Sequence, residues 1–176
     1  MIRHLFLTGE KQVGKSTLLR RLLSDFDLAP SGYETRLWQM DGERRGYLFH
    51  SFSQIDPYQN DCPCSLRLAQ RRSIPVLPVF EEIGSASLHA ALCDAQPVIL
   101  MDELGKLERD ARCFEEAVLS CFDGGKPVLG VLQKGDYPLK QAILARPDVC
   151  CLSVTPENRD ALFEQASIIL KTILKN

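Results

Sequence analysis

Gly9-Glu10-Lys11-Gln12-Val13-Gly14-Lys15-Ser16, followed by Thr17, decides how the rest of the chain is read. It fits the pattern G-x-x-x-x-G-K-[ST]. Ahead of it, residues 2–8 form a short apolar run that ends at Gly9 and reads as a buried strand. Behind it, residues 15–26 carry leucines at 18, 19, 22 and 23, a helical stripe that stops before Pro30. Strand, glycine-rich loop and helix together make a cradle for phosphates. Backbone N–H groups of the loop and the helix start point inward, and the helix dipole adds positive potential. Glycine lets the backbone approach without a Cβ clash. Lys15 reaches the outer phosphates, the Ser16 hydroxyl takes one position on magnesium, and Thr17 is placed to meet the α-phosphate. Gln12 stands where many such loops have a further glycine.

The remaining elements follow from pattern. Residues 32–39 and 45–52 are rich in aromatic and mixed-polarity side chains around Asp41-Gly42, which predicts a β-hairpin and a mixed sheet. Residues 53–78 contain Pro57, Pro63, Pro75 and Pro78 and read mostly as loop, a candidate flap over the nucleotide. Helices are predicted over 79–93, 109–122, 137–145 and 156–174, the last with Thr155 as N-cap and Pro156 in its first turn. Buried strands are predicted over 97–101, 127–132 and 149–154. Strands alternating with helices indicate a layered α/β fold, organised as one domain over 1–176.

Val98-Ile99-Leu100-Met101-Asp102-Glu103 is the second chemical element, a buried strand that delivers paired carboxylates. Asp102 is the candidate for magnesium or its bound water. Glu103 is the candidate base that orients and deprotonates the attacking water. As neighbours on a strand, the two side chains are expected to point in different directions. The pair resembles the additional-strand class of P-loop ATPases, in which a further strand lies between the phosphate-loop strand and the Asp-Glu strand. That resemblance makes 128–132 the inserted strand and Gln133 the candidate γ-phosphate sensor, with an ordinary loop glutamine as the alternative.

Gly32-Tyr33-Glu34-Thr35, Asp102-Glu103-Leu104-Gly105-Lys106-Leu107-Glu108, Pro127 to Leu132, Arg146-Pro147-Asp148-Val149 and Thr155-Pro156-Glu157-Asn158-Arg159-Asp160 stand in order along the chain. With the phosphate loop, they resemble the nucleoside-triphosphatase family first described from thermophiles, over most of the chain except 53–78. The resemblance implies a three-layer, RecA-like fold with a mostly parallel mixed sheet and an inserted β-hairpin. It further implies slow, magnesium-dependent hydrolysis of ATP, GTP and other nucleoside triphosphates with little base selectivity. Two positions depart from the family pattern: a histidine is frequent where Gln133 stands, and the usual glycine-rich segment before residue 79 is missing.

Composition narrows the partners. The 176 residues are 45% hydrophobic and 25% charged, with a formal net charge of −2. That balance gives no reason to expect a nucleic-acid or anionic membrane surface. No apolar run approaches the roughly 20 residues of a membrane span. Seven cysteines at irregular spacing read as reduced thiols, so the protein is expected in the cytoplasm, with a monomer favoured. Cys62-Pro63-Cys64 lacks the second pair that a four-ligand metal site needs and reads as core or loop thiols, and Cys150-Cys151 should face opposite sides of a strand. His4, His50 and His89 show no partner pattern. Lys106 and Glu108 either reach the nucleotide or form a surface ion pair, and Arg71-Arg72 read as solvated. A kinase using the same phosphate loop and a slow nucleotide-dependent switch are the competing functions.

Overall fold

The computed structural model describes residues 1–68 and 72–175; Arg71 lies outside them. The chain forms β1 (His4–Gly9), α1 (Lys15–Asp25), β2 (Pro30–Met40), β3 (Glu43–Ser51), β4 (Cys62–Arg67) and β5 (Ser73–Pro75). It continues with α2 (Ser85–Cys93), β6 (Val98–Leu104), α3 (Arg112–Asp123), β7 (Val128–Gln133), α4 (Pro138–Leu144), β8 (Val149–Ser153) and α5 (Arg159–Ile173). Among the described residues the sheet has eight strands in the order β5-β4-β3-β2-β6-β7-β1-β8. From β2 to β8 the pairs are parallel; from β2 to β5 they are antiparallel.

The parallel strands are apolar on both faces because both faces are covered. Leu5, Leu7, Val98, Leu100, Leu129 and Val131 pack beneath α1 and α5. Phe6, Ile99, Met101, Val128 and Leu132 meet α2, α3 and α4 on the other side. Burying such a side chain stabilises by about 1.5–3 kcal/mol over leaving it exposed. Cys150 packs in the first core and Cys151 in the second, as their adjacency on β8 requires. The expected inserted strand is present: β7 lies between β1 and β6.

One expectation needs an addition and two need correction. The described part of 53–78 is mostly loop, but β4 and β5 lie within it and extend the sheet antiparallel from β3. Prolines hid them, but Pro75 sits on the edge strand β5 and Pro63 on the part of β4 that β5 does not pair with, where a missing N–H is tolerated. The predicted helix over 79–93 opens as a π-helical turn, Val79–Gly84, before α2. Phe114 of α3 packs so closely there that a Cβ on Gly84 would lie 2.6 Å from its ring. Finally, α5 starts at Arg159 rather than at 156. Thr155 and Asn158 exchange hydrogen bonds, Thr155 N–H to Asn158 Oδ1 (2.8 Å) and Asn158 N–H to Thr155 Oγ1 (3.2 Å). Asn158, not Thr155, is the N-cap, and Pro156 lies in the preceding turn.

The predicted hairpin is present with Asp41-Gly42 at its tip. Both residues have positive φ (53° and 77°), the backbone that a two-residue turn between twisted strands needs.

Candidate active site

β1, β7 and β6 are neighbours, and their carboxyl ends bring Gly9, Gln133 and Asp102 to one edge of the sheet. In open parallel sheets this edge is where ligands bind. A cleft of about 650 Å³ opens there. Lys11, Gln12, Gly14, Lys15, Ser16 and Thr17 form one wall, with Asp102, Glu103 and Gln133 beside them. Glu10 turns outward to pair with Lys134, and Val13 packs into the core under α1 and α5. Those two residues, with Gly9, contribute backbone rather than side chains to the loop.

Gln12 and Gly14 both have positive φ, 64° and 95°. This backbone is free for Gly14 and costs about 1–2 kcal/mol at Gln12. No side chain caps the α1 N-terminus, so its first N–H groups remain available to an anion. Lys15 is buried, and its Nζ donates to the carbonyls of Gly9 (3.1 Å) and Glu10 (2.6 Å).

Asp102 is buried at 3% exposure and accepts from the Ser16 hydroxyl, Oγ to Oδ1 2.9 Å. Burial pushes its carboxyl up to about 6, against the opposing pull of Ser16 and Arg20. Burial also raises Glu103, opposed by Lys15, Lys11 and the Gln133 amide. Gln133 Nε2 donates to Glu103 Oε1 at 3.1 Å, while Gln133 Oε1 is buried without a partner.

The expectation that Asp102 and Glu103 point apart is overturned. Asp102 pairs with Val131 and Leu104 with Leu132, so Glu103 is an extra residue on β6. Such a bulge re-aims a side chain, and both acids line the same cleft. Their partners differ nonetheless: Asp102 holds Ser16, and Glu103 holds Gln133.

Other candidates fall into place. Glu108 is buried rather than on the surface, and accepts from the Gly105 N–H; burial pushes it up to about 7. Lys106 and Glu108 both line the cleft. Arg72 is exposed. The thiols of Cys62 and Cys64 point to separate carbonyls, those of Gln59 (3.2 Å) and Tyr47 (3.4 Å). Among the described residues, no three His, Cys, Asp or Glu side chains converge on a metal position. Two histidines do have partners: His50 Nδ1 lies 2.9 Å from Asp61, and His4 Nδ1 accepts from the Val128 N–H at 3.1 Å.

Sequence reading missed a charged chain behind Asp102. Arg20 Nη2 lies 3.3 Å from Glu34 and 3.9 Å from Asp102, and Arg36 Nε donates to Glu34 at 2.6 Å. The available signal was spacing, since Arg20 follows Ser16 by one helical turn on the same face of α1. It also missed the far wall, made of Thr35, Arg44, Tyr47, Ser73, Phe80 and Leu107.

With this geometry in hand, known proteins can be compared. A family model described as NTPase matches residues 4–167. The chain belongs to this NTPase family. The nucleoside-triphosphatase THEP1 of Thermotoga sp. (strain RQ2) is 30% identical over 169 residues, spanning 95% of each chain. The human cancer-related nucleoside-triphosphatase is 30% identical over 183 residues, 92% of this chain and 93% of that one. The solution structure of a human cancer-related nucleoside triphosphatase superposes with TM-score 0.73 at 25% identity, covering 97% of this chain and 98% of that one. The crystal structure of THEP1 from Aquifex aeolicus shares the fold, with TM-score 0.70 at 24% identity over 93% and 96% of the two chains. The resemblance and the RecA-like P-loop fold expected from sequence are therefore correct. Gln133, at the end of β7, is the residue that holds Glu103.

Proposed function

We propose that the chain, as one domain over 1–176, hydrolyses nucleoside 5′-triphosphates to diphosphate and phosphate with magnesium and low base selectivity. One observation carries this reading: Glu103, a half-buried carboxylate in the phosphate-loop cleft, is held by Gln133 on the inserted strand. Water is the acceptor such a pair suits. Glu103 takes its proton, and the free Gln133 Oε1 accepts its second O–H. Lys15 leaves the Gly9 and Glu10 carbonyls to meet the outer phosphates, while loop N–H groups and Thr17 hold the inner ones. The names of the relatives, nucleoside-triphosphatases, support the same reaction.

Magnesium fits the donor set. The Ser16 hydroxyl and the Asp102 carboxylate are hard oxygen donors 2.9 Å apart, and magnesium characteristically takes one or two protein oxygens plus phosphates and water. When bound, the ion offsets negative charge on the phosphate oxygens. Low base selectivity is supported by a small hollow beside Thr17, lined by Arg21, Arg159 and Phe163. The Arg21 guanidinium lies 3.8 Å over the Phe163 ring, so guanidinium faces line the hollow, and these stack on any base. Among the described residues no helix is long and apolar enough to cross a membrane. The seven free cysteines support a cytoplasmic protein, proposed to act as a monomer on small molecules.

The test is phosphate release from several nucleoside triphosphates, with and without magnesium and with no added acceptor. Lys15→Ala is expected to keep the fold and to lose binding or turnover, since a charge-assisted contact of this kind is worth about 2–3 kcal/mol. Parent-like binding and hydrolysis by Lys15→Ala would sink the cradle assignment. Release that requires an acceptor would favour a kinase.

A further inference from the structure

The far wall of the cleft is built by a second irregularity, on β3. Gln39 pairs with Arg44 and Trp38 with Gly46, which leaves Arg45 as the extra residue, while Leu37 pairs with Tyr47. Gln39 and Leu37 are two apart on β2 and share a face. Arg44 and Tyr47, three apart on β3, therefore share it too. Both line the cleft with Thr35, which lies on the same face of β2. The guanidinium of Arg44 stands 4.6 Å over the Tyr47 ring. Its Nε is buried and has no hydrogen-bond partner among the described residues. Arg45, the displaced neighbour, pairs with Glu43 at 3.4 Å on the exposed side.

A buried guanidinium N–H without an acceptor is costly, so its position calls for a ligand. The face is also set by register rather than by packing alone, since without the extra residue Arg44 and Tyr47 would stand on opposite faces. The same cleft holds the phosphate loop, Ser16 and Glu103. An anion between the two walls would meet N–H groups from one side and a planar cation from the other.

We propose that Arg44 is a catalytic residue supplied from within the chain, donating to the γ-phosphoryl oxygens as the transfer proceeds. This rests on the hydrolysis reading above. In that step the water oxygen bonds to the γ-phosphorus and its proton goes to Glu103. The bond from phosphorus to the β,γ-bridging oxygen breaks, and its electron pair stays on that oxygen, now terminal on the diphosphate. Negative charge is redistributed over the γ and bridging oxygens, where a guanidinium fork is the matching donor. Tyr47 is a positioning residue whose ring holds the guanidinium plane.

The experiment uses the full chain with magnesium and the variants Arg44→Ala, Arg44→Gln and Arg44→Lys, each checked for fold by thermal melting. Arginine contributions of this type are worth on the order of 10³ or more in kcat. A loss of at least about a hundredfold in kcat is expected, with diphosphate affinity changed only a few-fold. Arg44→Lys should not restore the rate, and free guanidinium at non-denaturing concentration should partly rescue Arg44→Ala. A second readout is capture of ADP with aluminium fluoride, which mimics the transferring group: the parent should trap it and Arg44→Gln should not. Single-turnover rates should be independent of protein concentration.

Parent-like turnover or trapping by Arg44→Gln would overturn the proposal, as would a rate that rises with protein concentration. If Arg44→Ala fails to fold, the length-preserving Arg44→Gln decides. Failure of the hydrolysis reading looks different: a parent that releases no phosphate yet loses aluminium fluoride trapping on Arg44→Gln would leave Arg44 beside the γ position.

Discussion

Asp102 and Glu103 are adjacent acids on one cleft wall, distinguished by what each holds. Asp102 accepts from Ser16 at 2.9 Å, whereas Glu103 accepts from Gln133 at 3.1 Å. We expect Glu103→Gln to keep magnesium–nucleotide affinity and to lose about 10²–10⁴ in turnover, the usual value of a general base. The amide keeps the size but cannot take the proton. Asp102→Asn should instead shift the magnesium requirement upward. Single-turnover hydrolysis and nucleotide affinity across a magnesium titration separate the two, and near-normal turnover by Glu103→Gln would remove it as the base. At this scale the phosphate loop and the acid pair were legible, because their chemistry is written in contiguous residues with fixed spacing. Arg44 and Arg20 were not: a register shift in a hairpin brings in Arg44 and leaves no local pattern, and Arg20 left only its one-turn spacing from Ser16.

β1 carries an acid-sensitive joint at its first residue. His4 is fully buried, accepts from Val128 on β7, meets the Phe122 ring of α3 edge-on at 5.0 Å, and has Asp148 3.6 Å from Nε2. Burial lowers its pKa to about 4, although Asp148 pulls it upward. The folded value lies below the unfolded one, so the unfolded chain takes up the proton first as pH falls. The contribution is full above about 6.5 and is lost progressively down to about 4. Between pH 7 and 4.5 this joint should cost roughly 2–3 kcal/mol of stability. His4→Gln, which keeps an acceptor but does not titrate, should lose that much less over the same interval. Denaturant unfolding of both proteins at the two pH values provides the check, and other titrating groups such as Glu108 cancel in the difference. Equal losses would mean that His4 does not titrate as its burial implies. Among the elements, those with strong period or apolar runs were legible. β4 and β5 were not, because their prolines and mixed burial are what an outer strand tolerates and also what a loop displays.

The molecule as a whole is two sheets' worth of logic joined at β2. The parallel half was legible because two-sided burial writes unbroken apolar runs, and because the resemblance of the acid pair to the additional-strand class implied the strand between β1 and β6. The antiparallel wing is half-exposed, so its pattern is weak; Leu66 and Ile74 on its outer strands are 37% and 40% exposed. The cleft lies between these halves, with the phosphate loop on one wall and, to the side, the small hollow at Arg21, Arg159 and Phe163 that is proposed for the base. We therefore expect ATP, GTP, CTP and UTP to differ by less than about a hundredfold in kcat/KM, roughly 2.7 kcal/mol. A larger preference, measured under one magnesium concentration, would mean that hydrogen bonds read the base. The sheet order has a further consequence for a chain made from its amino end. β1 is the first strand to be synthesised, yet Leu5 finds its partners only in Leu129 and Cys150. The wing from β2 to β5, by contrast, pairs each strand with the next. During translation the wall bearing Arg44 can therefore close on itself early, while the phosphate loop remains tethered to an unpaired strand until β7 and β8 have emerged. A nascent chain stopped short of β7 has the nucleotide-binding sequence but no sheet to hold it open.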